Sequence, residues 1–184
     1  MIKASHKPPR TRYGTVSLIY ARSLNYCIGD NGGLPWCLPN EYAHFEKTTA
    51  GKAVVMGRKT YEDHESVLPG CLNIVVSKQQ AYPVAEGIEL VQSLPDALDL
   101  ASKHSDEIFV IGGADLLNLA FSKADTVYET IVDTRISGDT VLPKFDFSDW
   151  NTELLQSHPV DTQHEFGFKV YLHQRMGEDT HHPG

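Results

Sequence analysis

Apolar positions in this 184-residue chain fall into short, β-branched runs, separated by polar or glycine-bearing turns and by stretches with helical spacing. Residues 15–21 form such a run and predict a buried first strand. Residues 53–57, 72–77, 88–91 and 107–111 read the same way, the last as a strong strand. Between them, 39–49 predicts a first helix, opened by Pro39, which suits a helix start. Arg58-Lys59-Thr60 begin a turn or short helix. Ser93 reads as the cap of a helix running to about residue 103, with Pro95 in its first turn. A further helix follows Gly112-Gly113 and extends to residue 121. The runs 126–134, 150–157 and 166–175 complete the set. Strands alternating with helices, then two closing strands, predict an α/β fold. Its sheet is mostly parallel, of about eight strands with an antiparallel edge, and carries about four helices.

Bulk properties narrow the class. The length suits one domain, assigned to residues 14–176, with a substantial core and no need of disulfides. Residues 1–13 carry Lys3, Lys7, Arg10 and Arg12 but no apolar segment after them. They are therefore a flexible leader rather than a secretory signal. Residues 177–184 read as a disordered tail, with His181-His182 solvated. A net charge of −8 argues against general affinity for nucleic acid. No apolar run approaches the ~20 residues of a membrane span. Cys27, Cys37 and Cys71 are odd in number and lack metal-like spacing, which favours a reduced, cytoplasmic protein without a metal centre.

The densest chemistry lies at residues 28–41, Ile-Gly-Asp-Asn-Gly-Gly-Leu-Pro-Trp-Cys-Leu-Pro-Asn-Glu. Gly32-Gly33 permit a sharp bend or movement, and Pro35 and Pro39 stiffen the far end. Glu41 and Phe45 are four apart and share a helical face. An inward carboxylate beside an aromatic ring needs a partner. A solvated Glu41 that merely complements the helix dipole is the plainer alternative. Two strand ends also offer phosphate sites, since helix N-termini present free N–H groups. These are Gly57-Arg58-Lys59-Thr60 and Gly112-Gly113-Ala114-Asp115.

The loop resembles the mobile substrate loop of the dihydrofolate reductase family, in which I-G-x-x-x-x-L/M-P-W-x-L-P precedes a helix bearing the pterin-binding acid. The same order continues with Ala53-Val54-Val55-Met56-Gly57-Arg58-Lys59-Thr60, Leu68-Pro69-Gly70, Asn73-Ile74-Val75-Val76-Ser77, Val110-Ile111-Gly112-Gly113-Ala114 and Gly138-Asp139-Thr140. The resemblance spans roughly residues 15–175. It implies an NADPH-dependent oxidoreductase that reduces a C=N bond of a small molecule, 7,8-dihydrofolate, and acts as a monomer. Glu41 would pair with the pterin N3 and amino group, supported by Thr130. Leu34 would close the pocket and Trp36 anchor the loop. Ile19, Tyr20, Ala21, Tyr42, Phe45, His64, Leu68, Cys71, Ile111 and Leu117 would surround the substrate. Arg58 would take the 2′-phosphate of NADPH, with Ser77 and Lys78 helping. Lys59 and Thr60 would meet the pyrophosphate. Ala21, Ile28, Gly57 and Ile111 to Leu116, including Gly112, Gly113, Ala114 and Asp115, would complete the cofactor contacts.

Departures from the family pattern collect on the substrate side. Cys71 stands where the family has an arginine for the substrate's α-carboxylate, and a thiol lacks that planar pair of donors. Tyr20, Tyr42, His64, Leu117 and Ala114 are also unusual choices. Two alternatives to a folate substrate stay open: a non-folate pterin or other cyclic imine, and a catalytically silent NADPH-binding protein.

Overall fold

A computed structural model describes residues 13–31, 33–63 and 67–177. The expected leader and tail therefore fall almost wholly outside the described residues, as does His64. Eight strands form one sheet: β1 (Thr15–Ser23), β3 (Ala53–Gly57), β4 (Leu72–Val76), β5 (Glu89–Val91), β6 (Glu107–Gly112), β7 (Thr126–Val132), β9 (Trp150–His158) and β10 (Phe168–Arg175). Their order is β5-β4-β3-β6-β1-β7-β10-β9. The first six are mutually parallel, and β10 and β9 add an antiparallel edge. Four helices accompany them: α1 (Pro39–Thr49), α2 (Arg58–Glu62), α3 (Leu94–Ser102) and α4 (Ala114–Phe121).

The unbroken apolar runs of the central strands follow from burial on both faces. Along β3, Ala53 and Val55 join a cluster with Leu98, Ala101, Leu117 and Ala120 of α3 and α4. Val54 and Met56 point the other way, into a cluster with Ile19, Phe109 and Phe45 of α1. Ser93 caps α3 as its sequence predicts, accepting from the Asp96 N–H at 3.2 Å. The last helix starts at Ala114, directly after Gly112-Gly113, as the sequence predicts. Gly112 is held at φ 137°, a conformation closed to side-chain-bearing residues, and so cannot open a helix.

Sequence patterning passes over a second, two-stranded sheet of β2 (Cys27–Gly29) with β8 (Thr140–Val141). Both strands are too short to display an alternation. Their meeting rests on Gly138, where a Cβ would collide with Cys27 Sγ and the Gly29 carbonyl. Asp139 then accepts from the Asn31 N–H at 3.1 Å, tying this sheet to the substrate-loop segment. No helix among the described residues is long and apolar enough to cross a membrane.

Candidate active site

In an open α/β sheet, the carboxyl ends of the parallel strands form the natural ligand crevice. Here they frame a cleft of about 1390 Å³. β1 contributes Ile19, Tyr20 and Ala21, and the end of β3 with the start of α2 contributes Gly57, Arg58, Lys59 and Thr60. Ser77 and Lys78 follow β4, while Ile111, Gly113, Ala114, Asp115, Leu116 and Leu117 come from the end of β6 and from α4. The substrate-loop side supplies Ile28 and Leu34, and α1 supplies Glu41, Tyr42 and Phe45.

Glu41 is the electrostatic centre of the cleft. It is only 7% exposed, and Thr130 Oγ1 donates to its Oε1 at 3.1 Å from the neighbouring strand β7. Burial pushes its carboxyl up from the ordinary 4.5 to about 7, with the Thr130 bond opposing part of that rise. A carboxyl group poised near neutrality can exchange a proton under ordinary conditions. One oxygen is held by Thr130, which leaves the other to meet a ligand.

The opposite end of the cleft is built for an anion. The Arg58 guanidinium is aimed by Glu62, 3.0 Å away, and Glu62 in turn accepts from the Tyr82 hydroxyl at 2.7 Å. Lys78 and Lys59 are exposed beside it. α4 opens with Gly113 and no side-chain cap, so its first N–H groups are not taken by a capping side chain. A Cβ on Gly112 would stand 3.4 Å from Thr60 Oγ1, an ordinary contact, so the φ of 137° rather than space requires glycine at this strand end. Three cations and uncapped backbone donors beside a glycine cradle fit a phosphorylated dinucleotide carrying an additional phosphate.

Several residues singled out from sequence lie elsewhere. Thr130 stands behind Glu41 and reaches the cleft through it. Trp36 is buried in a cluster with Leu38, Val132 and Phe168, and its indole N–H has no partner among the described residues. Leu68 is buried under the α1 face of the sheet. Cys71 does not line the cleft; its Sγ lies 3.2 Å from the Thr49 carbonyl at the end of α1. Gly112 acts by backbone conformation alone. Leu34 is 49% exposed at the lip. Residues not anticipated include Gln92 and Pro95 after β5, and Asp139, Thr140 and Val141 from the small sheet. The Gly138-Asp139-Thr140 motif was the available signal for the last three.

Tyr20 has a definite structural reason. Its hydroxyl donates to Glu129 Oε2 at 2.8 Å, and Arg22 Nε donates to the same oxygen at 3.0 Å. His173 Nε2 lies 3.1 Å from Oε1 of that carboxylate, with its Nδ1 2.7 Å from the Thr152 hydroxyl. Burial alone would raise the Glu129 carboxyl, but His173 and Arg22 together hold it below the usual range. The phenol is correspondingly pushed far up, by its own burial and then by Glu129. Tyr20 therefore closes a buried polar network under the floor of the cleft.

The family model for dihydrofolate reductase matches residues 15–175. The chain belongs to the dihydrofolate reductase family. It is 37% identical to the dihydrofolate reductase of Bacillus subtilis over 162 residues, covering 87% of this chain and 94% of that one. It is 38% identical to the enzyme of Haemophilus influenzae over 158 residues, 86% and 97% of the two chains. A solved dihydrofolate reductase from Enterococcus faecalis, complexed with NADP(H) and RAB-propyl, superimposes with a TM-score of 0.82 at 28% identity. That match covers 89% of this chain and 97% of the other. Members of the dihydrofolate reductase family bind a small-molecule substrate together with NADPH, and the two ends of the cleft described above have the chemistry for each.

Proposed function

We propose that this chain reduces 7,8-dihydrofolate to tetrahydrofolate at the expense of NADPH. The observation that carries this reading is Glu41, a buried carboxyl at the family's acid position, held by Thr130 and facing the cleft. NADPH, when bound, supplies the hydride for C6 of the substrate. Arg58 and Lys78 bind its additional phosphate, and Thr60 with the Gly113 end of α4 serves the pyrophosphate. Glu41 gives its proton through a water molecule to N5, and the carboxylate that remains accepts from the N3–H and amino group of the pterin ring, fixing its orientation. Tyr42 and Phe45 form an aromatic wall along α1, with ring centroids 6.3 Å apart, and Leu34 screens the reacting atoms from solvent. The protein works as a monomer in the cytoplasm.

Steady-state NADPH oxidation with dihydrofolate tests the reading. Saturable turnover at low substrate concentration supports it. Tight NADPH binding without saturable dihydrofolate turnover would favour a non-folate pterin or other cyclic imine. That second reading draws on Cys71, whose thiol faces Thr49 where a cation would grip a folate tail.

A further inference from the structure

The first N–H groups of a helix have no partner within it and are ordinarily met by a Ser, Thr, Asp or Asn at the cap. α1 has neither: Leu38 occupies the cap without a side-chain bond, and Pro39 carries no N–H. The first donor α1 presents is therefore the backbone N–H of Asn40, next to Glu41. It is bound from far away in the chain, at 3.0 Å, by Nε2 of His164 in the turn between β9 and β10. His164 is 1% exposed, and its Nδ1 lies 2.8 Å from Asp161 Oδ1. His158 holds the same residue by its side chain, with Asn40 Nδ2 2.8 Å from its Nε2 and its own Nδ1 2.7 Å from the Pro159 carbonyl. His158 also stacks on Phe168, with centroids 5.1 Å apart.

One assignment of protons satisfies all of these bonds. Both imidazoles are neutral, each Nδ1–H donates, to Asp161 and Pro159 respectively, and each Nε2 accepts from Asn40. His158, Asp161 and His164 bring potential ligand atoms within 4.8 Å of one another, as a metal centre would. Every ring nitrogen is already engaged, however, and a metal on His164 would break the bond that caps α1. Asp161 and His158 are the titratable groups in contact with His164.

We propose that His164, supported by His158 and Asp161, is a positioning residue that caps α1 from the β9–β10 turn and thereby holds Glu41 at the depth its chemistry requires. The proposal rests on the reading of Glu41 as the substrate acid. Without the Nε2 acceptor, the Asn40 N–H is left unpaired, the first turn of α1 loosens, and Glu41 gains solvent. Better solvation favours the charged carboxylate, so its titration midpoint must fall.

The test replaces His164 by Phe, which keeps a ring without an acceptor, and by Gln, whose terminal oxygen takes the place of Nε2. The Glu41 carboxyl is titrated directly by ¹³C NMR in each full-length protein, with NADPH affinity and single-turnover hydride transfer measured alongside. Expected for His164→Phe is a fall in the Glu41 midpoint of about one pH unit or more. Hydride transfer should be about tenfold slower and NADPH affinity within twofold of the parent. His164→Gln should restore both midpoint and rate. An unmoved midpoint in His164→Phe overturns the proposal, as does a His164→Gln variant no better than Phe. Should neither variant fold, ¹⁵N shifts of the His164 ring in the parent protein decide: a bare Nε2 supports the cap, and a protonated Nε2 overturns it. None of the NMR readouts needs dihydrofolate turnover, so a wrong substrate and a wrong cap give different results.

Discussion

The two ends of the cleft solve their binding problems in opposite ways. The cofactor end uses exposed cations and backbone: Arg58 tethered by Glu62, Lys78 and Lys59 in solvent, and glycine conformations at Gly112 and Gly113. These features lie within a few residues of strand ends, so local sequence specifies them. The substrate end uses a single buried acid whose properties come from distant elements, Thr130 on β7 and His164 beyond β9. Charge in solvent is tolerant of neighbours, whereas a buried carboxyl depends on every group around it. Sequence change should therefore be absorbed easily at the first end and be felt at once at the second.

The largest effect should come from Glu41→Ala, which removes the acid and leaves the phosphate end untouched. Hydride transfer is expected to fall by about 10²–10⁴-fold with NADPH affinity nearly unchanged. Comparable losses in both would mean that the two ends are not independent. Arg58→Ala is the mirror experiment. Loss of a charge-assisted bond worth roughly 1.5–3 kcal/mol should cut the preference for NADPH over NADH by about 10–100-fold, with substrate affinity unaltered. An unchanged ratio of the two cofactors' kcat/KM places the additional phosphate elsewhere.

Cys71→Arg sharpens the substrate side. If the pocket is folate-shaped, a guanidinium there should tighten dihydrofolate binding by about tenfold, read as a lower Kd. No gain would mark a wall reshaped for another substrate. The smallest effect belongs to Thr130→Val. Its hydroxyl holds the Glu41 value down, so its loss should move the midpoint of the rate profile upward, by less than about one pH unit. A downward movement would contradict the assigned hydrogen bond.

The sequence makes the sheet and the cofactor end readable for the same physical reason. β3 and β6 are buried on both faces and so appear as continuous apolar runs, and glycine followed by Arg58 or Asp115 is a local arrangement. The pairing of β2 with β8 stayed hidden, because two- and three-residue strands carry no period and depend on the contact at Gly138. Cys71 shows the limit most directly. Its position in a familiar motif suggests a pocket wall, but its sulfur turns toward Thr49. The Tyr20–Glu129–Arg22–His173 network and the His164 cap join residues far apart in the chain, and no member taken singly signals its partners.

Burial of Glu41 also links activity to stability. Its folded value of about 7 lies above the ordinary 4.5, so the folded state holds the proton more tightly than the unfolded state does. The resulting penalty is absent below about pH 4.5, grows as pH rises, and is complete above about pH 7. It is on the order of 3 kcal/mol. The decisive measurement is the pH dependence of single-turnover hydride transfer from NADPH to dihydrofolate. A protonated Glu41 at the substrate ring predicts a rate that is level in mild acid and falls as pH rises through about 7. A rate that ignores pH across this range, or one whose midpoint sits at the ordinary carboxylic value, would contradict it.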